Sequence, residues 1–227
     1  GVVQLNVAST LVNVRQLPTL QLAIAQAKQI SLKHPRRLHA QTLLAQWVKE
    51  AQWMEDRPVL RQAQQLAKTG KIDALRSAVA LASLVKPKRA LSQEAQSGIV
   101  DWTVQIQTIE DKPILDEAKA VASAGKLGQA IQVASRVRSG RALYGDAQYL
   151  IGEWVYQIQI AEDRPILNQA TGLANGGYLT RAIDLAAQIA PGRALYGEAQ
   201  GAISRWSFER AAIWRARRGA ASQSDPA

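Results

Sequence analysis

Cysteine is missing from this sequence of 227 residues, and methionine and phenylalanine occur once each. The absence of cysteine excludes disulfides and thiolate metal sites. No apolar run reaches the ~18 residues that a membrane-spanning helix needs, and the alternation of β-branched and polar residues that marks strands is also missing. The composition is dominated by alanine, leucine, glutamine, lysine and arginine, which favours helices.

Acidic residues are scarce relative to basic ones, 18 against 28, and the formal net charge is +10. That excess predicts attraction to polyanions. The two histidines, His34 and His39, lie in one basic stretch, which favours a solvated face or a phosphate contact over a metal site. We expect a cytoplasmic protein. Because the sequence begins at Gly1, an excised fragment that has lost a signal peptide or a membrane anchor stays open.

Tryptophan supplies six of the twelve aromatic residues, and four of the six recur at one place in a repeat. Each follows an Ala-Gln pair at the same distance, and consecutive members are 55, 52 and 52 residues apart: Trp47, Trp102, Trp154 and Trp206. Four landmarks that keep their order and spacing indicate a unit of about fifty residues that recurs roughly three and a half times.

Three further landmarks follow the tryptophans. An acidic pair, a base and a proline come after each of the first three: Glu55-Asp56-Arg57-Pro58, Glu110-Asp111-Lys112-Pro113 and Glu162-Asp163-Arg164-Pro165. A glycine stands twelve residues beyond each proline: Gly70, Gly125 and Gly177. An Arg-Ala-Leu triplet then begins at Arg89, Arg141 and Arg193.

Each unit is interpreted as three helices. In the third unit the first runs from about residue 141 to 161, where Trp154 lies on an apolar stripe of helical period. It is expected to end at the acidic box because proline disfavours helix in the residue before it, and Asp163 would then cap the second helix, residues 165–174. Glycine ends that helix, and a third helix covers residues 179–190. The whole chain is therefore predicted to be all-α, with nine to eleven helices and no sheet.

This interpretation divides the chain at the repeated landmarks. The predicted segments are a partial N-terminal repeat (1–46), three full repeats (47–101, 102–153 and 154–206), a basic C-terminal cap (207–218) and a disordered tail (219–227).

The second and third helices of each unit resemble the tetratricopeptide hairpin. That family alternates large and small residues on its first helix, places a glycine at the turn and an alanine on its second helix, as Ile114, Ala118, Val121, Gly125 and Ala130 do here. The resemblance implies a right-handed α-solenoid. The family repeats every thirty-four residues, whereas this chain adds a tryptophan-bearing helix to each unit. The whole unit is also similar to repeats of large uncharacterised cyanobacterial proteins.

Each repeated landmark has a functional and a structural interpretation. The tryptophans could form a stacking groove for bases, prolines or sugars, or fill the seam between helices, which the apolar stripe favours. The acidic boxes could bind metal or act as acid and base, but Asp56, Asp111 and Asp163 are better explained as helix caps paired with a repeated arginine. The arginines that begin each triplet could line a phosphate-binding stripe, or pair with the carboxylate five positions on: Glu94, Asp146 or Glu198.

The C-terminal stretch departs from the repeat. Trp214 and Arg215 stand where a fourth acidic box is due, which suits either the cap of a repeat array or an anionic partner. The candidate anion- or partner-binding residues are Arg205, Arg210, Arg215, Arg217, Arg218, Lys86, Lys88 and Arg89.

No nucleophile–base pair, phosphate-binding glycine loop or paired carboxylate site is recognisable, so we expect no enzyme, no cofactor and no small-molecule substrate. The first hypothesis is a non-catalytic scaffold for protein–protein interaction. Its candidate concave-face contacts are Gln96, Gln148 and Gln200. The alternative is a protein that binds nucleic acid or an anionic membrane surface through its basic patches.

Overall fold

The structure is a computed structural model that describes residues 17–29 and 36–223, with side chains as far as Gly219. Two compact units divide the chain, Gly1–Glu110 and Asp111–Ala227. In the described ranges the chain forms eight α-helices and no strand: α1 (Leu17–Lys28), α2 (Arg37–Ala67), α3 (Ile72–Ala82), α4 (Ser92–Ser123), α5 (Leu127–Ala134), α6 (Tyr144–Asn175), α7 (Leu179–Ala186) and α8 (Tyr196–Gln223). The all-α prediction is confirmed.

Long and short helices alternate along the chain. The even-numbered helices have 28 to 32 residues, and the odd-numbered helices have 8 to 12. The expected break at each acidic box is therefore wrong, because Pro58, Pro113 and Pro165 lie inside helices. The tryptophan-bearing helix and the first helix of the hairpin are one element, so each described repeat has two helices where three were predicted.

The packing of α6 explains why its proline does not end it. A proline inside a helix removes one hydrogen bond and clashes with the preceding turn, at a cost of about 3 kcal/mol. The residues before Pro165 bury Ala147 and Trp154 in one core cluster, and the residues after it bury Leu167 and Ala170 in another. Each buried large side chain contributes about 1.5–3 kcal/mol, so packing on both sides of the proline outweighs its penalty.

Three of the four core clusters are built in the same way. The end of one long helix, the short helix after it and the start of the next long helix surround alanines that are almost inaccessible to solvent, such as Ala118 and Ala130. Each cluster contains one repeated tryptophan, and all four of these tryptophans are at most 9% exposed. The predicted burial of the tryptophans is confirmed. In the first unit, α1 takes the place of the short helix and packs Leu20 and Ala23 against Trp47.

Two turns per repeat fix the path of the chain. The long helix α6 ends where Gly177 adopts a φ of 81°, while the amide of Tyr178 donates to the carbonyl of Leu173. This is the hydrogen-bond pattern of a glycine-terminated helix, so the predicted stop is confirmed. The second turn precedes the Arg-Ala-Leu triplet. Gly192 has a φ of 85° there, and Lys88 occupies the equivalent position with a φ of 67°.

The C-terminal end differs from the predicted cap and tail. Helix α8 continues through residues 207–218 and ends at Gln223, so the first residues of the tail are helical rather than disordered. The alanines in Gly219-Ala-Ala-Ser-Gln223 favour helix and give the chain no reason to stop. The rest of the tail, 224–227, lies outside the described residues, as do residues 1–16 of the partial N-terminal repeat and His34 of the basic stretch. No helix within the described ranges has the length and apolarity needed to cross a membrane.

Candidate binding surface

The acidic boxes are engaged in ion pairs with the repeated arginines. In the second unit, Arg193 Nε donates to Asp163 Oδ2 at 2.6 Å and Nη2 donates to Glu162 Oε2 at 2.7 Å. Arg89 makes the same pair of contacts to Asp56 and Glu55, at 2.7 and 2.6 Å. The arginine holds the middle of a long helix to the turn that follows the next short helix.

The predicted pairing of the box aspartates with a repeated arginine is confirmed, but two other expectations about these residues are wrong. Asp111 and Asp163 do not cap helices, because α4 and α6 run through them. Their carboxylates instead accept from arginines thirty positions away, Arg141 at 2.5 Å and Arg193 at 2.6 Å. Arg89 and Arg193 do not pair with the carboxylate five positions on, because each guanidinium group is engaged by both carboxylates of the preceding box.

The carboxylates five positions on have a different partner. Glu198 accepts from Arg164 of the preceding box at 2.7 Å, and Glu94 accepts from Arg57 at 2.9 Å. In these two repeats, the triplet arginine therefore pairs with the carboxylates of the box, and the arginine of the box pairs with the carboxylate that follows the triplet. The box that has lysine at this position differs, since Lys112 contacts Asp116 of its own helix at 3.4 Å.

A glutamine completes this junction. Gln159 Oε1 accepts from the backbone amide of Ala194 at 2.9 Å, and Gln52 accepts from Ala90 at 3.0 Å. Sequence reasoning missed this contact, although a glutamine five residues after the tryptophan in three repeats was a usable signal. The amide satisfies a backbone donor in a turn, where helical hydrogen bonds are not available.

The ion pairs shift the ionisation of their members. The hydrogen bond from Arg89 lowers the pKa of Glu55 below its ordinary value. Hydrogen bonds to Asp163 first and Glu162 second raise the pKa of Arg193, and those to Asp56 and Glu55 raise that of Arg89. These shifts favour the charged forms of Glu55, Arg89 and Arg193, in which the ion pairs are made.

An open groove lies beside Trp154 in the second unit. It has a volume of about 340 Å³, and its walls come from the end of α4, the start of α5 and the first half of α6. The lining residues are Lys119, Ala122, Ser123, Leu127, Leu150, Trp154 and Gln157. The indole and the aliphatic side chains form an apolar floor, and the lysine and glutamine provide polar walls.

The first unit contains a groove at the equivalent place in its repeat. It has a volume of about 500 Å³ and is lined by Gln64, Ala67, Lys68, Gly70, Trp102 and Gln105. Five of its six lining positions match the other groove: the tryptophan, the glutamine three residues after it, and three positions at or just after the end of the preceding long helix. The groove is therefore a property of the repeat and not of one irregular loop.

Polar groups in the grooves have unused hydrogen-bonding capacity. No hydrogen bond from the indole N–H of Trp102 or Trp154 reaches any residue that the structure describes, and neither N–H is a buried unpaired atom. Lys68 and Lys119 have no carboxylate within ion-pair distance among those same residues. Gln64 differs from these groups, because its Nε2 donates to Glu94 Oε1 at 3.0 Å.

The glutamines predicted to contact a partner on a concave face do not line either groove. Gln96 and Gln148 are exposed and Gln200 is half-buried, all near the start of long helices and none in a groove lining. Gln105 and Gln157 occupy the grooves instead. The sequence carried a signal for these two residues, because each stands three positions after a repeated tryptophan. The sequence also contains many other glutamines, and their number hid that signal.

A second recurring feature lies on the opposite side of the long helices. Two residues after the tryptophan, an apolar side chain is exposed in three repeats: Val104 at 47%, Tyr156 at 49% and Phe208 at 74%. Two residues correspond to about 200° on a helix, so these side chains point away from the core that buries the tryptophan. Tyr149, 70% exposed, lies two turns before Tyr156 on the same side.

The candidate anion-binding residues fall into engaged and available groups. Arg89 is engaged by Glu55 and Asp56. Lys86 and Lys88 are exposed in the turn before it. Arg205, Arg215, Arg217 and Arg218 are exposed on α8, and Arg210 is half-buried, donating to Thr180 Oγ1 at 3.2 Å and stacking over Trp214 at 5.3 Å.

Comparison of the chain with protein-family models, with curated proteins and with solved structures gave no match.

Proposed function

We propose that this chain is a non-catalytic scaffold that binds segments of other proteins in the grooves beside its repeated tryptophans. The observation that carries the proposal is the recurrence of one groove, with the same tryptophan and glutamine, in two consecutive repeats. As part of the same proposal, the repeats are tetratricopeptide-like hairpins that form a right-handed solenoid, related to the repeats of cyanobacterial proteins. The hairpin of α6 and α7, with Ala170 and Ala182 fully buried at its centre, supports that assignment.

The chemistry of the groove suits a polypeptide. A glutamine amide donates and accepts a hydrogen bond, as a peptide group does, and can pair with an extended main chain. The indole and alanine surfaces provide apolar contact for side chains. Both grooves are open along one side, whereas pockets for small molecules usually bury most of the ligand surface.

The state of the acidic boxes supports the non-catalytic part of the proposal. A general acid or base must be free to contact a substrate. Asp111 and Asp163 are instead buried and held by arginines, at 4% and 3% exposure.

The test is selection of twelve-residue peptides from a displayed random library against the full chain, followed by affinity measurement of the selected peptides by fluorescence anisotropy. We expect Gln157→Ala to weaken binding about 2- to 10-fold, the value of one hydrogen bond of 0.5–1.5 kcal/mol. Ser123→Arg, which places a long side chain at an exposed position of the groove wall, should weaken it further.

Gln148→Ala is the matched control, since it removes the same amide from an exposed position of the same helix outside the groove. It should leave the affinity unchanged. Loss of binding in Gln148→Ala or Tyr156→Ser with full binding in Gln157→Ala would assign the interaction to another face. If no selected peptide is bound more weakly by the Ser123→Arg variant, the groove proposal is overturned.

A further inference from the structure

Helix α8 continues past the last core cluster as an unpacked element. Trp206 is the last buried residue among those whose side chains the structure describes, and every residue from 211 to 219 is exposed. In α6 the equivalent stretch places Leu167 and Ala170 in a core, whereas α8 has Gly219 and Ser222 at those positions. The second half of α8 therefore lacks the side chains that would hold another hairpin, and within the described residues no helix covers it.

Positive charge is concentrated on this half and is not neutralised. From residue 205 to residue 218 there are five arginines and one acid, Glu209. Among the described residues no carboxylate lies within ion-pair distance of any of the five, in contrast to Arg89 and Arg193. The acidic box that supplies such partners in the repeats is replaced here by Trp214-Arg215-Ala216-Arg217.

The distribution of these charges around the helix discriminates between anionic partners. At about 100° per residue, Arg210 and Arg217 lie on one side, Arg215 lies nearly opposite, and Arg218 lies between them. The apolar residues Phe208, Ile213 and Trp214 are also spread around the axis. A helix that lies in a membrane surface needs one continuous apolar face, and this helix has none.

From this arrangement we infer that the second half of α8 binds the phosphate backbone of duplex nucleic acid. Residues 207–218 extend about 18 Å, and the major groove of B-DNA admits an α-helix between two rows of phosphates. Arginines on several sides of one helix can contact both rows. Arg210 ties the base of the helix to α7 through Thr180, so the helix is presented in a defined direction from the second unit.

This inference goes beyond the proposed function and does not depend on it, because it uses none of the groove residues. It predicts binding without base specificity, since phosphate contacts carry no sequence information. Three to four arginine–phosphate contacts imply that affinity for B-DNA falls about 40- to 150-fold between 50 and 200 mM salt.

The experiment measures binding of the full chain to a fluorescent 20-base-pair DNA duplex by anisotropy over that salt range. A duplex RNA of the same length and vesicles of phosphatidylcholine with about a third phosphatidylserine are run in parallel. In the triple variant Arg215→Gln/Arg217→Gln/Arg218→Gln, we expect affinity at 50 mM salt to fall at least tenfold and the salt dependence to be largely lost. The variant Arg215→Lys/Arg217→Lys/Arg218→Lys keeps the positive charge and should retain both the affinity and its salt dependence.

The matched control removes three charges elsewhere, by Lys86→Gln/Lys88→Gln/Lys126→Gln, and should change affinity less than threefold. Gln157→Ala should leave it unchanged, which separates this inference from the groove proposal. If Lys86→Gln/Lys88→Gln/Lys126→Gln loses as much affinity as Arg215→Gln/Arg217→Gln/Arg218→Gln, binding responds to net charge alone and the inference is overturned. Binding to vesicles but to neither duplex would overturn it in favour of a lipid surface.

Discussion

The ion pair between Asp163 and Arg193 is predicted to stabilise the contact between α6 and the turn that follows α7. The Asp163 side chain is 5% exposed and accepts from Arg193 Nε at 2.6 Å, while the Arg193 side chain is 29% exposed. Removing one member of a buried pair leaves an uncompensated charge and costs about 3–5 kcal/mol. Because the Arg193 guanidinium group that remains would be partly solvated, we expect Asp163→Ala to lower the free energy of unfolding by about 3 kcal/mol, at the low end of that range.

A double-mutant cycle isolates the interaction from the other effects of each substitution. Asp163→Ala and Arg193→Ala are measured singly and together by urea denaturation, monitored by circular dichroism at 222 nm. We expect a coupling energy of about 2 kcal/mol, within the range for hydrogen bonds to charged groups. The control is the pair between Arg164 and Glu198, whose side chains are 41% and 51% exposed. Its coupling should be clearly smaller, because an exposed ion pair is solvated and screened by salt.

The outcome that refutes this reasoning is a coupling at Asp163 no larger than at the exposed control. Asp163 would then act without Arg193, and its burial would have to be explained by backbone contacts alone. A change in the denaturant slope in only one variant would mean that the unfolding unit had changed, since that slope reports the surface exposed on unfolding.

Three further predictions concern single positions. Lys88→Gly should raise stability by about 1 kcal/mol, because lysine there pays the left-handed penalty that glycine avoids, whereas Gly140→Lys should lower it by a similar amount in the same denaturation assay. Trp154→Ala should cost about 3–5 kcal/mol through loss of core packing, while Trp214→Ala, at a half-exposed position, should change stability by less than 1 kcal/mol. Acid should remove the contribution of Glu55: its folded pKa is lowered, so the stabilisation is present above the unfolded value near 4.5 and disappears as pH falls through the folded value, and Glu55→Gln should flatten that part of the stability–pH curve.

The sequence alone was sufficient for the features that depend on local period and local backbone preference. Apolar positions at helical spacing around Trp154 predicted both the helix and the burial of the indole, because one face of a helix meets the core at that period. Gly177 predicted the helix end, because only glycine adopts the required positive φ without penalty. The fixed spacing of four landmarks predicted the repeat, since each landmark has the same structural role in every unit.

Tertiary structure decided which local preference prevailed and which distant residues met. Pro165 disfavours helix locally, but the cores on either side of it release more free energy than the proline costs, so α6 runs through it. Asp163 and Arg193 are thirty positions apart, and no spacing rule joins them; only the packing of the short helix between two long ones brings them to 2.6 Å. For the same reason Gln157 could not be separated from Gln148 in the sequence: both are exposed on one helix, and only the neighbouring end of α4 determines which of them borders a groove.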